Sequence, residues 1–383
     1  LIERARALDP LIRACRDEIE EERQLPRSLV EAMTEAGLFR MWVPRSLGGA
    51  EADVATCLRV IEEVARVDGA AGWNLAIGAS GGGVIAAYLA ADAAREIFGN
   101  PRTIVAGSLN PRGSAVAQAV EGGYRVNGRW GFASGSRHAT WLIGVCVVME
   151  GDAPRLGADG TPAPYLMLFP RAEGEIIDTW HVGGLRGTGS HDIAAHDVFV
   201  PAARSFPPLT SRPREPGTLY QLPYFSLLAL PLAAVATGIA RGAIDTLAEL
   251  ATAKTPYGAQ KLLRERTMVQ VDVARAEALL GAARSFLFEM VAKAWEIVAA
   301  GGELPQRQRA MLRLAGTHAV SSAAQAVDLM YEAGGASSIY TSSPLERCFR
   351  DLHTLSQHAM IAPTIYEPAG RVLLGMEPGT PRF

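Results

Sequence analysis

The chain has almost no lysine. Lys254, Lys261 and Lys293 are the only lysines among 37 basic residues, which leaves 34 arginines. The skew fits genomic base composition and marks no binding surface. The basic residues form no run, and 40 acidic residues outnumber them for a net charge of −3. A protein held to nucleic acid by bulk phosphate neutralisation needs the opposite balance, so no nucleic acid is expected. Cysteine is equally scarce. Cys15, Cys57, Cys146 and Cys348 lie far apart, with no CxxC pair and no neighbouring histidine cluster. That excludes a disulfide framework and a zinc-finger pattern, and no His/Asp/Glu set has metal-ligand spacing. Reduced thiols in a cytoplasmic protein are the expectation. There is no repeat and no low-complexity tract. The first residues, Leu1-Ile2-Glu3-Arg4, carry charge where a signal peptide has an apolar segment. The longest apolar stretch, Leu222 to Ala240, contains Pro223, Ser226, Pro231, Thr237 and Gly238 and runs into Arg241. A membrane span takes about 20 mainly apolar residues, but these interruptions favour a buried helix and no membrane.

What the chain does have is apolar mass. Of 383 residues, 49% are hydrophobic and 20% charged, so disorder is excluded and two to three domain-sized units are expected. Three regions follow one another. Residues 1–100 read as a helical domain: Val54, Cys57, Leu58, Ile61 and Val64 share one helical face, Asp53 precedes them as an N-cap, and Ser28 to Ala36 forms a shorter helix closed by Gly37. Residues 101–205 read as a β domain. Tyr124-Arg125-Val126 alternates, Asn127-Gly128 predicts a tight turn, and Arg129-Trp130-Gly131-Phe132 returns as the second arm of a hairpin. Trp141 to Met149, Tyr165 to Phe169 and Ala195 to Val200 are further strands. Residues 206–383 read as a four-helix bundle, with helices near 224–253, 263–300, 305–334 and 345–375. The class is α+β.

Four segments, in this order and spacing, resemble the acyl-CoA dehydrogenase fold superfamily over essentially the whole chain. They are Leu38 to Pro44 with Gly48-Gly49, Asn127 to Gly135, Gly183 to Ser190 with Asp197 to Pro201, and Glu346 to Asp351. The resemblance implies a bound flavin and, commonly for the fold, a homotetramer. It divides at the catalytic position. Dehydrogenases of the fold commonly place a glutamate base about eight residues after the Arg-Asp pair, and here that position is Ala359, preceded by His358. The loop before the hairpin, Gly107 to Ala115, also lacks the carboxylate that dehydrogenases carry. Both departures are similar to the flavin-dependent monooxygenases of the fold, which include two-component hydroxylases of phenols and steroid-derived phenols, dibenzothiophene monooxygenases, indole oxygenases and amino-sugar N-oxidases. The alternative is an acyl-CoA dehydrogenase using FAD with a displaced base; Glu367 is the nearest glutamate, but it lies two further helical turns along and reads as a surface residue.

The monooxygenase resemblance implies reduced FMN (or FADH2) delivered by a separate flavin reductase, O2, and a small aromatic or polycyclic substrate oxidised through a flavin C4a-hydroperoxide. The chain itself has no dinucleotide fingerprint. Such chemistry needs a dry cavity. It needs a hydroxyl to hold the flavin N5 proton, for which Ser134 beside Gly135 is the candidate. It also needs a group that exchanges a proton with peroxide or substrate, for which His358 is the candidate. Asn110, Ser134 and Gly135 are expected along the flavin edge. Arg264 and Arg266, with Lys261, are expected at a flavin phosphate of a neighbouring subunit. Trp73 and His138 are expected at the substrate. His353, five residues before His358, points about 140° away on a continuous helix. His181, His191 and His196 read as exposed strand residues, and Arg350 with Asp351 as a possible ion pair. The small residues Gly81, Gly82, Gly83, Ala86 and Ala87 fit either a roomy cavity or close helix packing.

Overall fold

The computed structural model describes residues 1–158, 160–380 and 383. Six helices come first: α1 (Ile2–Ala7), α2 (Asp9–Glu22), α3 (Arg27–Glu35), α4 (Val54–Val67), α5 (Gly69–Ala86) and α6 (Ala91–Phe98). The Asp53 cap expected from sequence is made, and the structure adds a second at Asp68. Asp53 accepts the Thr56 N–H at 2.8 Å, and Asp68 does the same for Ala71 at 2.9 Å. The α4 face chosen by periodicity is buried in full.

Helix α5 carries no charged side chain, and only Ile77 and Gly81 escape burial. Its glycines divide the two readings of the small-residue stretch. A Cβ at Gly83 would lie 2.5 Å from the Trp42 backbone, which is close packing, whereas nothing lies within 4 Å of a Cβ at Gly81. Gly83→Ala should therefore lower stability by about 1–3 kcal/mol through overpacking, while Gly81→Ala should raise it by about 0.5–1 kcal/mol through backbone entropy. Thermal melts of the two variants moving in the same direction would contradict this account.

The central sheet contains β1 (Val105–Ser108), β2 (Val116–Val120), β3 (Gly123–Ala133), β4 (Trp141–Glu150), β5 (Ala153–Pro154), β6 (Pro164–Pro170), β7 (Glu175–Ile177), β8 (His191–Pro201) and β9 (Ser205–Phe206). Strand order is β7-β8-β3-β2-β4-β6-β9, with β1 and β5 also on β4. The Asn127-Gly128 turn does not form. Strand β3 runs straight through it, paired antiparallel to β2 and β8, with a register shift between Val126 and Gly128. Neither Asn127 nor Gly128 takes the positive φ that a two-residue hairpin turn requires. The Asn127 side chain instead accepts the N–H of Asp197, itself at φ 55°, and so closes a bulge between β3 and β8. Trp130 lies at the centre of the sheet's own core, its indole N–H donating to the Val145 carbonyl at 2.7 Å.

Helices α7 (Tyr224–Ala253), α8 (Thr267–Ala299), α9 (Gln306–Gly334), α10 (Pro344–Leu355) and α11 (Tyr366–Leu373) complete the chain. The expected last helix, 345–375, is two helices: α10 stops at Leu355, and Pro363 follows in the intervening segment. Helix α7 alone among the described residues is long and apolar enough to cross a membrane, but 89% of its apolar window is buried inside the protein. It packs on α4, α5, α9 and α10, so the buried residues of the early and late helices form one continuous cluster.

Candidate active site

The site lies where α5, two strand ends and the α10–α11 connection meet. Ala133 at the end of β3 pairs with His191 at the start of β8, so Ser134 and Ser190 emerge side by side. Their hydroxyl oxygens are 2.7 Å apart, and Ser190 is 2.7 Å from the Thr188 hydroxyl. Thr188 donates its proton to the Leu185 carbonyl at 2.8 Å. Each hydroxyl has one proton to give, so the relay has one direction: Ser134 donates to Ser190, and Ser190 to Thr188. Trp73 Nε1–H, from the second turn of α5, donates to Ser134 at 2.9 Å. The Ser134 oxygen has donated its proton and accepted one bond, and so keeps one acceptor position. Ser134 itself is buried.

Gly135 follows at φ 73°, where a Cβ would meet His138 Nε2 at 3.0 Å and Asn74 Oδ1 at 3.1 Å. Asn74 is pinned by its amide, which donates to the Ala70 and Gly187 carbonyls at 3.1 Å each, and its buried Oδ1 has no partner. His138 is half-buried, its ring 6.2 Å from Phe39, and burial pushes its pKa down to about 4.

His358 is in the α10–α11 connection and not on a helix, so the helical angle to His353 does not apply. Its ring stands edge-on to Trp73 with centroids 5.5 Å apart. Its Nδ1 accepts the Met360 N–H at 3.2 Å, which leaves the proton on Nε2. Burial, helped by the charge of Arg313, lowers its pKa to about 4, so the ring is neutral at pH 7. His353 turns elsewhere, to Asp328 at 2.7 Å.

The Gly183–Ser190 segment is fastened to α10. A Cβ at Gly184 would lie 2.1 Å from the Arg350 carbonyl oxygen, and buried Asp351 accepts the Leu185 N–H at 2.6 Å. Arg350 pairs with Glu346 and Glu20 and not with Asp351. Trp73, Ile77 and Gly81 recur every fourth residue and define one α5 face about 12 Å long, ending in the open space at Gly81.

Of the expected residues, Ser134, Gly135, Trp73, His138 and His358 come together. Asn110 is exposed; its backbone joins β3 through Gly131, but its side chain does not enter the cluster. Arg264 and Arg266 are exposed on the turn before α8, away from the cluster, because α7 and α8 carry that turn. His191 is fully buried, since its strand is covered on both faces, whereas His181 and His196 are exposed. Ser190, Thr188, Asn74 and Arg313 were not legible as site residues. The Gly183–Ser190 motif was visible, but only pairing of β3 with β8 puts its hydroxyls on Ser134.

An unpartnered buried amide oxygen, a vacant acceptor position on Ser134 and a glycine cradle suit a flat ring bearing N–H groups, as a reduced flavin does. The carboxylate that a dehydrogenase needs is missing. Ala359 cannot take a proton, and Glu367 is exposed in the first turn of α11.

Comparison with known proteins agrees. Residues 5–97 match the acyl-CoA dehydrogenase N-terminal domain and residues 230–363 its C-terminal domain. The chain is 36% identical to indole-3-acetate monooxygenase of Pseudomonas putida, over 97% of this chain and 94% of the relative. The chain belongs to the flavin-dependent monooxygenases of the acyl-CoA dehydrogenase fold. The monooxygenase is also 29% identical to the oxygenase component of an FADH2-dependent resorcinol hydroxylase of Rhizobium sp., over 99% of this chain and 95% of the relative. XiaF of Streptomyces sp., solved in complex with FADH2 and glycerol, superposes at a TM-score of 0.90 with 26% identity, covering 99% of this chain and 96% of that one. The monooxygenase is thus the oxygenase component of a two-component system, using reduced flavin from a separate reductase, and the dehydrogenase alternative falls.

Proposed function

We propose that the substrate is a hydroxylated or indolic aromatic ring, and that Ser134 and His358 are the catalytic pair. The observation that carries this is the one-way hydroxyl relay that starts at Ser134 and leaves it one vacant acceptor position, beside a neutral His358 with its proton on Nε2. Indole-3-acetate and resorcinol, named in two relatives, support the ring class. Reduced flavin, when bound, supplies the electrons that activate O2. Ser134 would hold the flavin by accepting a hydrogen bond from a ring N–H, which would keep that proton in place. His358 Nε2–H donates a hydrogen bond to the oxygen being transferred or to the oxygen of the substrate's ring hydroxyl. Trp73, Phe39 and Ile77 supply the apolar walls that exclude water. Exposed Lys261, Arg264 and Arg266 would meet the flavin phosphate of a neighbouring subunit in a cytoplasmic homotetramer, and light scattering gives the subunit count.

The test supplies reduced FMN or FADH2 and admits ¹⁸O2 with indole-3-acetate or resorcinol. Incorporation of one labelled oxygen is expected; only hydrogen peroxide, with both flavins and both rings, would sink the reading. Ser134→Ala should keep O2 consumption but divert it, lowering product per O2 by roughly tenfold, the effect of losing one well-placed hydrogen bond. Unchanged coupling would remove Ser134 from the mechanism.

A further inference from the structure

Most arginines of this protein reach a carboxylate or solvent. Arg313 on α9 differs. It is the one arginine among the described residues that is fully buried, at 4% exposure, and no carboxylate pairs with it. Its sole hydrogen bond is a long one, from Nη1 to the Phe225 carbonyl at 3.4 Å, and its Nε has no partner. The residue after Phe225 is Ser226, 1% exposed, whose hydroxyl also lacks a partner. One turn along α9 from Arg313, Thr317 is 1% exposed and its hydroxyl is likewise unpartnered. The Arg313 head group thus lies at the first turn of α7, and the α7 and α9 segments on either side of this contact each carry a buried hydroxyl without a partner. The start of α7 has no side-chain cap, because Pro223 occupies the N-cap position. Its first-turn N–H groups and helix dipole add to the positive character of the spot.

A guanidinium retains its charge on burial; here burial brings it down only to about 10. A buried, uncompensated charge is costly, and so are buried hydroxyls without partners. A small anion against Arg313 would offset its charge and accept from its unpartnered Nε–H. The place adjoins the catalytic cluster: α9 packs against the Pro363–Ile365 turn that follows His358, and the Arg313 charge is felt by His358.

We propose that Arg313, which reaches the uncapped start of α7, is an anion subsite that receives the carboxylate of an aromatic acid and holds its ring towards Trp73 and His358. This rests on the monooxygenase substrate reading above and narrows it from aromatic rings to aromatic carboxylic acids. A planar, forked guanidinium suits a carboxylate better than a lysine would.

The test compares binding of indole-3-acetate and 4-hydroxyphenylacetate with binding of their neutral amides, by calorimetry on the full-length protein, alone and with reduced flavin under anaerobic conditions. The wild type should prefer each acid over its amide by about tenfold or more, the scale of one charge-assisted bond. Arg313→Met should abolish that preference while amide affinity holds, and Arg313→Lys should keep part of it. The melting temperature of Arg313→Met should stay level or rise, because an unpaired buried charge has been removed. Acid binding should also raise the His358 pKa, followed by NMR, as the carboxylate offsets the Arg313 charge. The proposal is overturned if acid and amide bind alike, which is the result for a merely water-filled polar pocket. It is equally overturned if Arg313→Met preserves the preference, or if it lowers stability and weakens acid and amide together. Because binding needs no turnover, an acid preference lost in Arg313→Met without any hydroxylated product would uphold the subsite and defeat the proposed function. Labelled product without acid preference would do the reverse.

Discussion

His358→Ala should lose hydroxylation by about 10²- to 10⁴-fold, the usual contribution of a positioned proton donor or acceptor, while reduced flavin still binds. The expectation follows from three placements. The ring stands against Trp73, which itself fixes Ser134. The Met360 N–H occupies Nδ1, so the transferable proton is on Nε2. Among the described residues no carboxylate is bonded to His358 that could assume its role. His358→Asn, which keeps an N–H donor, should retain part of the rate. The pH profile adds a sharper check. Because the pKa is lowered to about 4, the imidazole stays neutral throughout the range where an ordinary histidine would charge. The hydroxylation rate should therefore show no loss near pH 6.5 and should fall only as pH approaches 4. An acid limb centred near 6.5 that vanishes in His358→Asn would contradict the environment described, and full product formation by His358→Ala would remove its catalytic role.

Asp351→Asn should reshape the pH dependence of stability. Burial and the nearby Asp68 raise the Asp351 pKa to about 8, against the Leu185 N–H bond that opposes the rise. In the unfolded chain the group titrates near 3.9. Between those values the folded protein holds a proton that the unfolded chain has released, so stability falls as pH rises from about 4 to about 8 and levels off beyond. Each unit costs about 1.4 kcal/mol, so the total is of the order of several kcal/mol. Asparagine keeps the acceptor for the Leu185 N–H and has no proton to lose. Denaturant unfolding at pH 5 and pH 8 should show the wild type losing stability relative to Asp351→Asn. A constant difference between the two proteins would refute a protonated Asp351. Asp351→Leu should instead destabilise at every pH, because the buried Leu185 N–H is left without a partner, and it should loosen the segment carrying Thr188 and Ser190.

The two residues of greatest chemical weight were legible for different reasons. Ser134 stood in a segment whose residues resemble a flavin-contacting motif. His358 emerged from an alignment to Asp351, although the helix assumed between them ends at Leu355. Counting survives a helix break; helical angles do not. The Asn127-Gly128 dipeptide misled because turn propensity is local and worth little against two neighbouring strands that hydrogen-bond β3 along its length.

The sequence by itself determined the order of helix, strand and helix, the faces that α4 buries, the family, and the loss of the dehydrogenase glutamate at Ala359, because these depend on periodicity and residue identity. Only the tertiary structure decided the direction of the Ser134–Ser190–Thr188 relay, the single vacant acceptor on Ser134, the open space at Gly81 and the unpaired charge of Arg313. Each of these is a statement about which donors and acceptors are already taken. Partners 56 residues apart, as Ser134 and Ser190 are, meet only when two strands come into register. Burial then turns an ordinary serine, glycine or arginine into a group with one unmet need.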